Sequence, residues 1–140
     1  RWLAVASLTA GQTLSEALEV LDFRSAAEAA LQLAITANGF LNDQAPWKRM
    51  KQAGEEAQVA ADLYAVLEAT RWVAVLLAPL VPNLSERMLI QLGQQTFVSD
   101  ECAGLPSAWR DAQQWGALAP GLPLIEPQPV MQRLELEDPL

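Results

Sequence analysis

Glu55–Ala78 reads EEAQVAADLYAVLEATRWVAVLLA, and the spacing within it decides the fold class. Leu63, Val66, Leu67, Thr70, Val73, Ala74 and Leu77 recur with a period near 3.6, which places them along one face of an α-helix. At about 1.5 Å per residue such a helix is a rod of roughly 36 Å, long enough to be the spine of a small domain. Pro79 and Pro82 end it, since proline cannot continue a helical hydrogen-bond ladder. The most apolar run, Trp72 to Val81, is interrupted by Pro79 and is too short to span a bilayer, which needs about 20 residues.

The same reading extends outward on both sides. Trp2 to Leu21 is a helix carrying Leu14, Ala17, Leu18 and Leu21; Gly11 leaves open one helix or two, with Thr13 and Glu16 capping a restart. Ser25 and Glu28 form a capping-box pattern for the next helix, whose inner face is Ala27, Leu31, Ala34, Ile35, Asn38 and Leu41. That helix ends near Asn42-Asp43, because Ala45 precedes Pro46. Pro46 then suits the first turn of a short helix that stops at Gly54. Downstream, Asn83 with Glu86 starts a helix whose buried face is Leu84, Met88 and Leu89, and Gly93 fits the left-handed position just past its end.

After Gly93 the texture changes, with six of the nine prolines lying in residues 94–140. Pro106 to Trp115 predicts one short helix, residues 116–129 an irregular extended path, and the alternation in Val130–Leu136 a strand-like arm that docks on something. Trp109 and Trp115 are expected to pin this segment to the bundle. The expectation is an all-α protein: a bundle of four or five helices over residues 1–93, then an extension over 94–140 made of a short helix and an extended arm.

Composition narrows the chemistry. The 140 residues are 51% hydrophobic, enough for a packed core, and rich in alanine and leucine. There is no histidine and a single cysteine, Cys102. An intrachain disulfide, a Cys/His zinc site and every histidine-dependent nucleophilic arrangement are therefore excluded. The seven glycines are dispersed, so no phosphate-cradling loop is present. No catalytic residue and no metal site is expected. One thiol and the lack of a signal-peptide pattern suit a cytoplasmic protein without membrane contact, and the start at Arg1-Trp2 reads as a fragment. The net charge of −8 opposes a broad nucleic-acid surface, so any RNA contact rests on a local patch.

One such patch exists. Trp47 stands beside Lys48, Arg49 and Lys51, three of the nine basic residues within four positions. An aromatic ring among cations suits an unpaired RNA base, which stacks on the ring while the cations meet its phosphates. The plain alternative is a core tryptophan beside a solvated charged face. Asn38, a polar residue within an apolar stripe, needs a partner or a ligand; its amide reads a base edge, or else ties a neighbouring helix end to the bundle.

The stretch Ala37-Asn38-Gly39-Phe40-Leu41-Asn42-Asp43-Gln44-Ala45-Pro46-Trp47 resembles a hallmark of methionyl-tRNA synthetases. The likeness continues through Asp22-Phe23-Arg24, through Pro79–Arg87, and through Pro129–Glu135. It implies the anticodon-binding region of a class I synthetase, of bacterial or cyanobacterial type. Trp47 would then stack on a base of the CAU anticodon, with Asn38 and Pro46 at the same site and Lys48, Arg49 and Lys51 on phosphates. The partners implied are tRNA-Met and a catalytic domain of the same polypeptide, which would use ATP with Mg to charge the tRNA. The family's catalytic signatures, and the Asn and Arg of an upstream helix that also read the anticodon, have no counterpart here. Two other readings stay open: the same domain in another class I synthetase, and a helical protein-interaction module without RNA.

Overall fold

The computed structural model describes residues 1–94 and 105–132, with side chains from 108 in the second stretch. Its helices are α1 (Trp2–Glu19), α2 (Phe23–Gln44), α3 (Pro46–Arg49), α4 (Glu56–Leu77), α5 (Pro82–Gln91) and α6 (Leu105–Asp111). Among the described residues there is no strand. The helix α4 lies at the centre and packs against α1, α2, α3 and α5. Its second half is buried all round, from Arg71 through Leu77, as a central helix must be. Trp72, Leu76, Leu14, Leu33, Ala26 and Ala30 form the heart of the core. Burying a leucine here contributes about 1.5–3 kcal/mol.

The helix α1 is unbroken, so Gly11 does not divide it. Gly11 is buried where α1 crosses α4, and a Cβ there would come within 3.2 Å of the Trp72 ring. The glycine thus permits a close crossing rather than a break. At the end of α1, Asp22 N–H bonds to Ala17 carbonyl (2.9 Å) and Leu21 N–H to Leu18 carbonyl (3.1 Å). This is a Schellman closure with leucine in the left-handed position, φ 59°.

The start of α2 departs from the expected Ser25–Glu28 box. Asp22 is the cap: its carboxylate accepts from Ser25 N–H (3.0 Å) and from the Ser25 hydroxyl (2.6 Å). Glu28 instead pairs with Arg24 at the surface. The buried face of α2 is also rotated from the one predicted. Ala26, Ala30, Leu33 and Ala37 point inward, while Leu31 and Ile35 are 54% and 64% exposed. Small residues face the core because α1 and α4 approach closely on that side.

The helix α5 begins one position before the predicted start, with Pro82 at its first turn, and Gly93 closes it at φ 67° with Gln94 N–H on Leu89 carbonyl (2.9 Å). The C-terminal extension is fastened to the bundle. Trp109 Nε1 donates to Val75 carbonyl (2.8 Å), and Trp115 packs on the core, as the two tryptophans were expected to do.

A buried ion pair that sequence reading did not find locks the next turn. Glu68, fully buried, accepts from Arg71 (2.7 Å) and from the backbone N–H groups of Gly116, Ala117 and Leu118. Arg71 donates to the carbonyls of Ala112 (2.8 Å) and Gln114 (2.6 Å). Tyr64 hydroxyl donates to Leu118 carbonyl (2.7 Å), and Leu118 is itself buried. Trp109, Ala112, Trp115 and Leu118 therefore share the core of residues 1–93. Further on, the Gln91 amide side chain exchanges two hydrogen bonds with the Gln128 backbone, which lays the arm along α5. Of the predicted Val130–Leu136 strand, residues 130–132 form none, and 133–136 lie outside the described residues.

Candidate nucleic-acid interface

The residues of the predicted RNA patch meet at one end of the bundle, where α2 turns into α3 and α3 into α4. Ala45 makes the first turn. It ends α2 with its N–H on Leu41 carbonyl (3.0 Å) and starts α3 with its own carbonyl accepting from Lys48 N–H (2.9 Å). To do both it adopts the left-handed conformation, φ 42°, ψ 57°. Pro46 follows at the first helical position, where its missing N–H costs nothing. It is buried, so it seats the turn and presents no surface to a ligand.

Trp47 comes next and is 50% exposed. Among the described residues its ring has no hydrogen bond and no aromatic neighbour. Lys48 and Lys51 are exposed and pair with no carboxylate among the described residues. A half-exposed indole offers an apolar face on which a base could stack, and an exposed ammonium a charge for a phosphate.

Arg49 differs from expectation. Its guanidinium turns inward: Nε and Nη2 donate to Glu55 Oε2 (3.0 and 2.7 Å), and Nη1 to Asp62 Oδ2 (2.7 Å) and Gln44 Oε1 (3.1 Å). The hydrogen bonds to Glu55 first, then to Asp62, hold its pKa above the ordinary arginine value. Asp62 is further held by Gln58 (2.9 Å). A guanidinium so engaged has little left for a phosphate.

Asn38 is also not where its stripe predicted. It is exposed and makes no hydrogen bond among the described residues, so it is not a buried group in need of a partner. It stands at the mouth of a groove of about 230 Å³ between α2, α4 and α5, with Ala34, Leu41, Val66, Thr70 and Met88. Six residues of α2 separate it from Ala45, about 10 Å along the axis. Trp47, Lys48 and Lys51 are all exposed at or just after α3, whereas Asn38 is exposed on α2. No group of His, Cys, Asp and Glu that could hold a metal ion occurs among the described residues.

The whole chain, rather than this turn alone, is similar to known proteins. A family model described as the anticodon binding domain of methionyl tRNA ligase matches residues 4–138. The chain belongs to this family. It is 44% identical over 126 residues to the methionine–tRNA ligase of Thermosynechococcus vestitus, a match covering 89% of this chain and 23% of that protein. It is 38% identical over 125 residues to the corresponding ligase of a Nostoc species, with the same shares of 89% and 23%. The chloroplastic/mitochondrial methionine–tRNA ligase of Arabidopsis thaliana is 38% identical over 119 residues, covering 84% of this chain and 18% of its own length. The chain spans a quarter or less of these curated relatives. No solved structure matches it. The family and the all-α bundle agree with what the sequence implied.

Proposed function

We propose that this chain reads the anticodon of tRNA-Met through a base stacked on Trp47. The observation that carries the reading is the half-exposed indole on a one-turn helix, with Lys48 and Lys51 exposed close by in sequence and paired with no carboxylate among the described residues. Lys48 and Lys51 meet the phosphates on either side of the stacked nucleotide. Pro46 fixes the turn from beneath. Asn38, a helical stretch away, serves an adjoining nucleotide rather than the stacked one. The whole protein would be a methionine–tRNA ligase, as its relatives' names suggest, and we place it in the cytoplasm on the single thiol of its sequence. Its catalytic domain, on the same polypeptide, would charge the tRNA with ATP and Mg. Within the described residues no helix is long and apolar enough to cross a membrane.

The test is a titration of labelled tRNA-Met and of an anticodon-substituted control against the parent and Trp47→Ala. Stacking on one aromatic ring is worth about 1–3 kcal/mol, so the variant should lose roughly 5- to 150-fold in affinity for the cognate tRNA and little for the control. Trp47→Phe should retain part of the difference. Equal binding of both RNAs by the parent would refute the reading. The acidic balance, −8 overall, favours a second reading, a module that docks protein and no RNA. It predicts no tRNA binding at low salt, where phosphate contacts are strongest.

A further inference from the structure

Arg49 sits two residues beyond Trp47 on a helix of four residues, too short to hold its own shape. Its guanidinium has five N–H donors, and four hydrogen bonds run to protein acceptors. Those acceptors belong to three different pieces of chain: Gln44 at the end of α2, Glu55 in the loop before α4, and Asp62 within α4. One positive charge facing two carboxylates leaves a local balance of −1, which repels a phosphate. Trp47, by contrast, has no hydrogen bond and no aromatic neighbour among the described residues, so its pose follows the α3 backbone.

We propose that Arg49 is a positioning residue for anticodon reading: with Asp62, Glu55 and Gln44 it clamps α3 so that the Trp47 ring faces the nucleotide, and it touches no RNA itself. The proposal rests on the reading of Trp47 given above. It separates the three basic residues of the patch into two roles. Lys48 and Lys51 are electrostatic, and Arg49 is mechanical. Lysine cannot replace it, because an ammonium on a flexible stem cannot hold a planar fork of three partners.

The test uses the complete gene product with Arg49→Met, Arg49→Lys, Asp62→Asn, Gln44→Met and Trp47→Ala. Affinity for tRNA-Met and for the anticodon-substituted control is measured across a salt series, together with the thermal midpoint. The clamp predicts that Arg49→Met cuts the cognate-to-control ratio about tenfold or more while the slope of log affinity against log salt stays at the parent value. Asp62→Asn, which removes a negative charge, should cut the ratio in the same direction. Arg49→Lys should resemble Arg49→Met, and Gln44→Met should give a smaller loss in a protein of parental midpoint, which keeps the test open if the stronger variants unfold. Because the effect passes through Trp47, Trp47→Ala with Arg49→Met should discriminate no worse than Trp47→Ala alone. A phosphate contact predicts a different pattern: Arg49→Met lowers the salt slope by about one, and Asp62→Asn leaves the ratio intact. That pattern overturns the proposal. If Trp47→Ala alone leaves the ratio unchanged, the reading of Trp47 falls and the clamp falls with it. If Trp47→Ala abolishes the ratio while Arg49→Met and Gln44→Met spare it, only the clamp falls.

Discussion

Arg71 and Glu68 show how much one side chain can carry. Glu68 is wholly buried and accepts from Arg71 and from three consecutive backbone N–H groups. Replacing Arg71 with methionine leaves a buried carboxylate without its counter-charge and two carbonyls without a donor, so stability should fall by about 3–5 kcal/mol in urea unfolding. Removing Glu68 as well should not restore it, because the N–H groups of 116–118 would then be orphaned. Leu21 works in the opposite sense. It occupies the left-handed position that closes α1, is exposed, and pays steric strain of roughly 1–2 kcal/mol there. Leu21→Gly relieves that strain and costs about 0.5–1 kcal/mol in chain entropy. A net gain of about 0.5–1 kcal/mol in the denaturant midpoint is expected, and a loss would show that the side chain packs on something.

Among the helices, α2 best shows what sequence pattern does and does not reveal. Gly39 lies within it, and a Cβ built there would meet nothing within 4 Å. Gly39→Ala should therefore raise the melting temperature by a few degrees, the return on about 1 kcal/mol of helix propensity; an unchanged or lower value in a calorimetric scan would contradict the open space. The existence and order of α2, α4 and α5, the end of α4 and the left-handed Gly93 were legible from periodicity, proline and glycine alone, whereas the starts of α2 and α5 were not. The inner face of α2 was not. Periodicity counts large apolar residues, and here the tight crossing selects alanines, so Leu31 and Ile35 drew the predicted stripe outward and took Asn38 with them. Trp47 was singled out because an aromatic among cations is conspicuous in sequence, and the structure leaves it half exposed. The inward turn of Arg49 was not, because its partners Glu55 and Asp62 are 6 and 13 residues away. The Glu68–Arg71 pair did carry a signal, two charges inside the most apolar part of α4, and that signal marks burial rather than solvent.

At the scale of the whole molecule, residues 108–118 complete the core that residues 1–93 begin. Tyr64 reports on that closure. Burial first, and the Glu68 charge second, raise its hydroxyl above the ordinary value of 10.0. A group whose folded pKa is raised contributes stability that is whole below its unfolded pKa and fades as pH climbs past it. The protein should accordingly weaken as pH rises above about 10, and Tyr64→Phe should flatten that alkaline limb while costing the hydrogen bond to Leu118 at neutral pH. Parallel curves for parent and variant above pH 10 would show that Tyr64 is not the group responsible. A chain shortened to end at Gln94 should melt well below the parent, since Glu68, Arg71 and Trp72 would lose their cover.

The backbone that caps Glu68 lies 50 residues further along the chain. At about 5–20 residues per second, a ribosome needs roughly 3–10 s to supply it after the glutamate itself has been made. Throughout that interval Glu68 has Arg71, three residues on, but lacks the N–H groups that complete its shell, so this part of the interior stays hydrated and cannot set early. Translation order thereby makes residues 108–118 the latch that commits the rest.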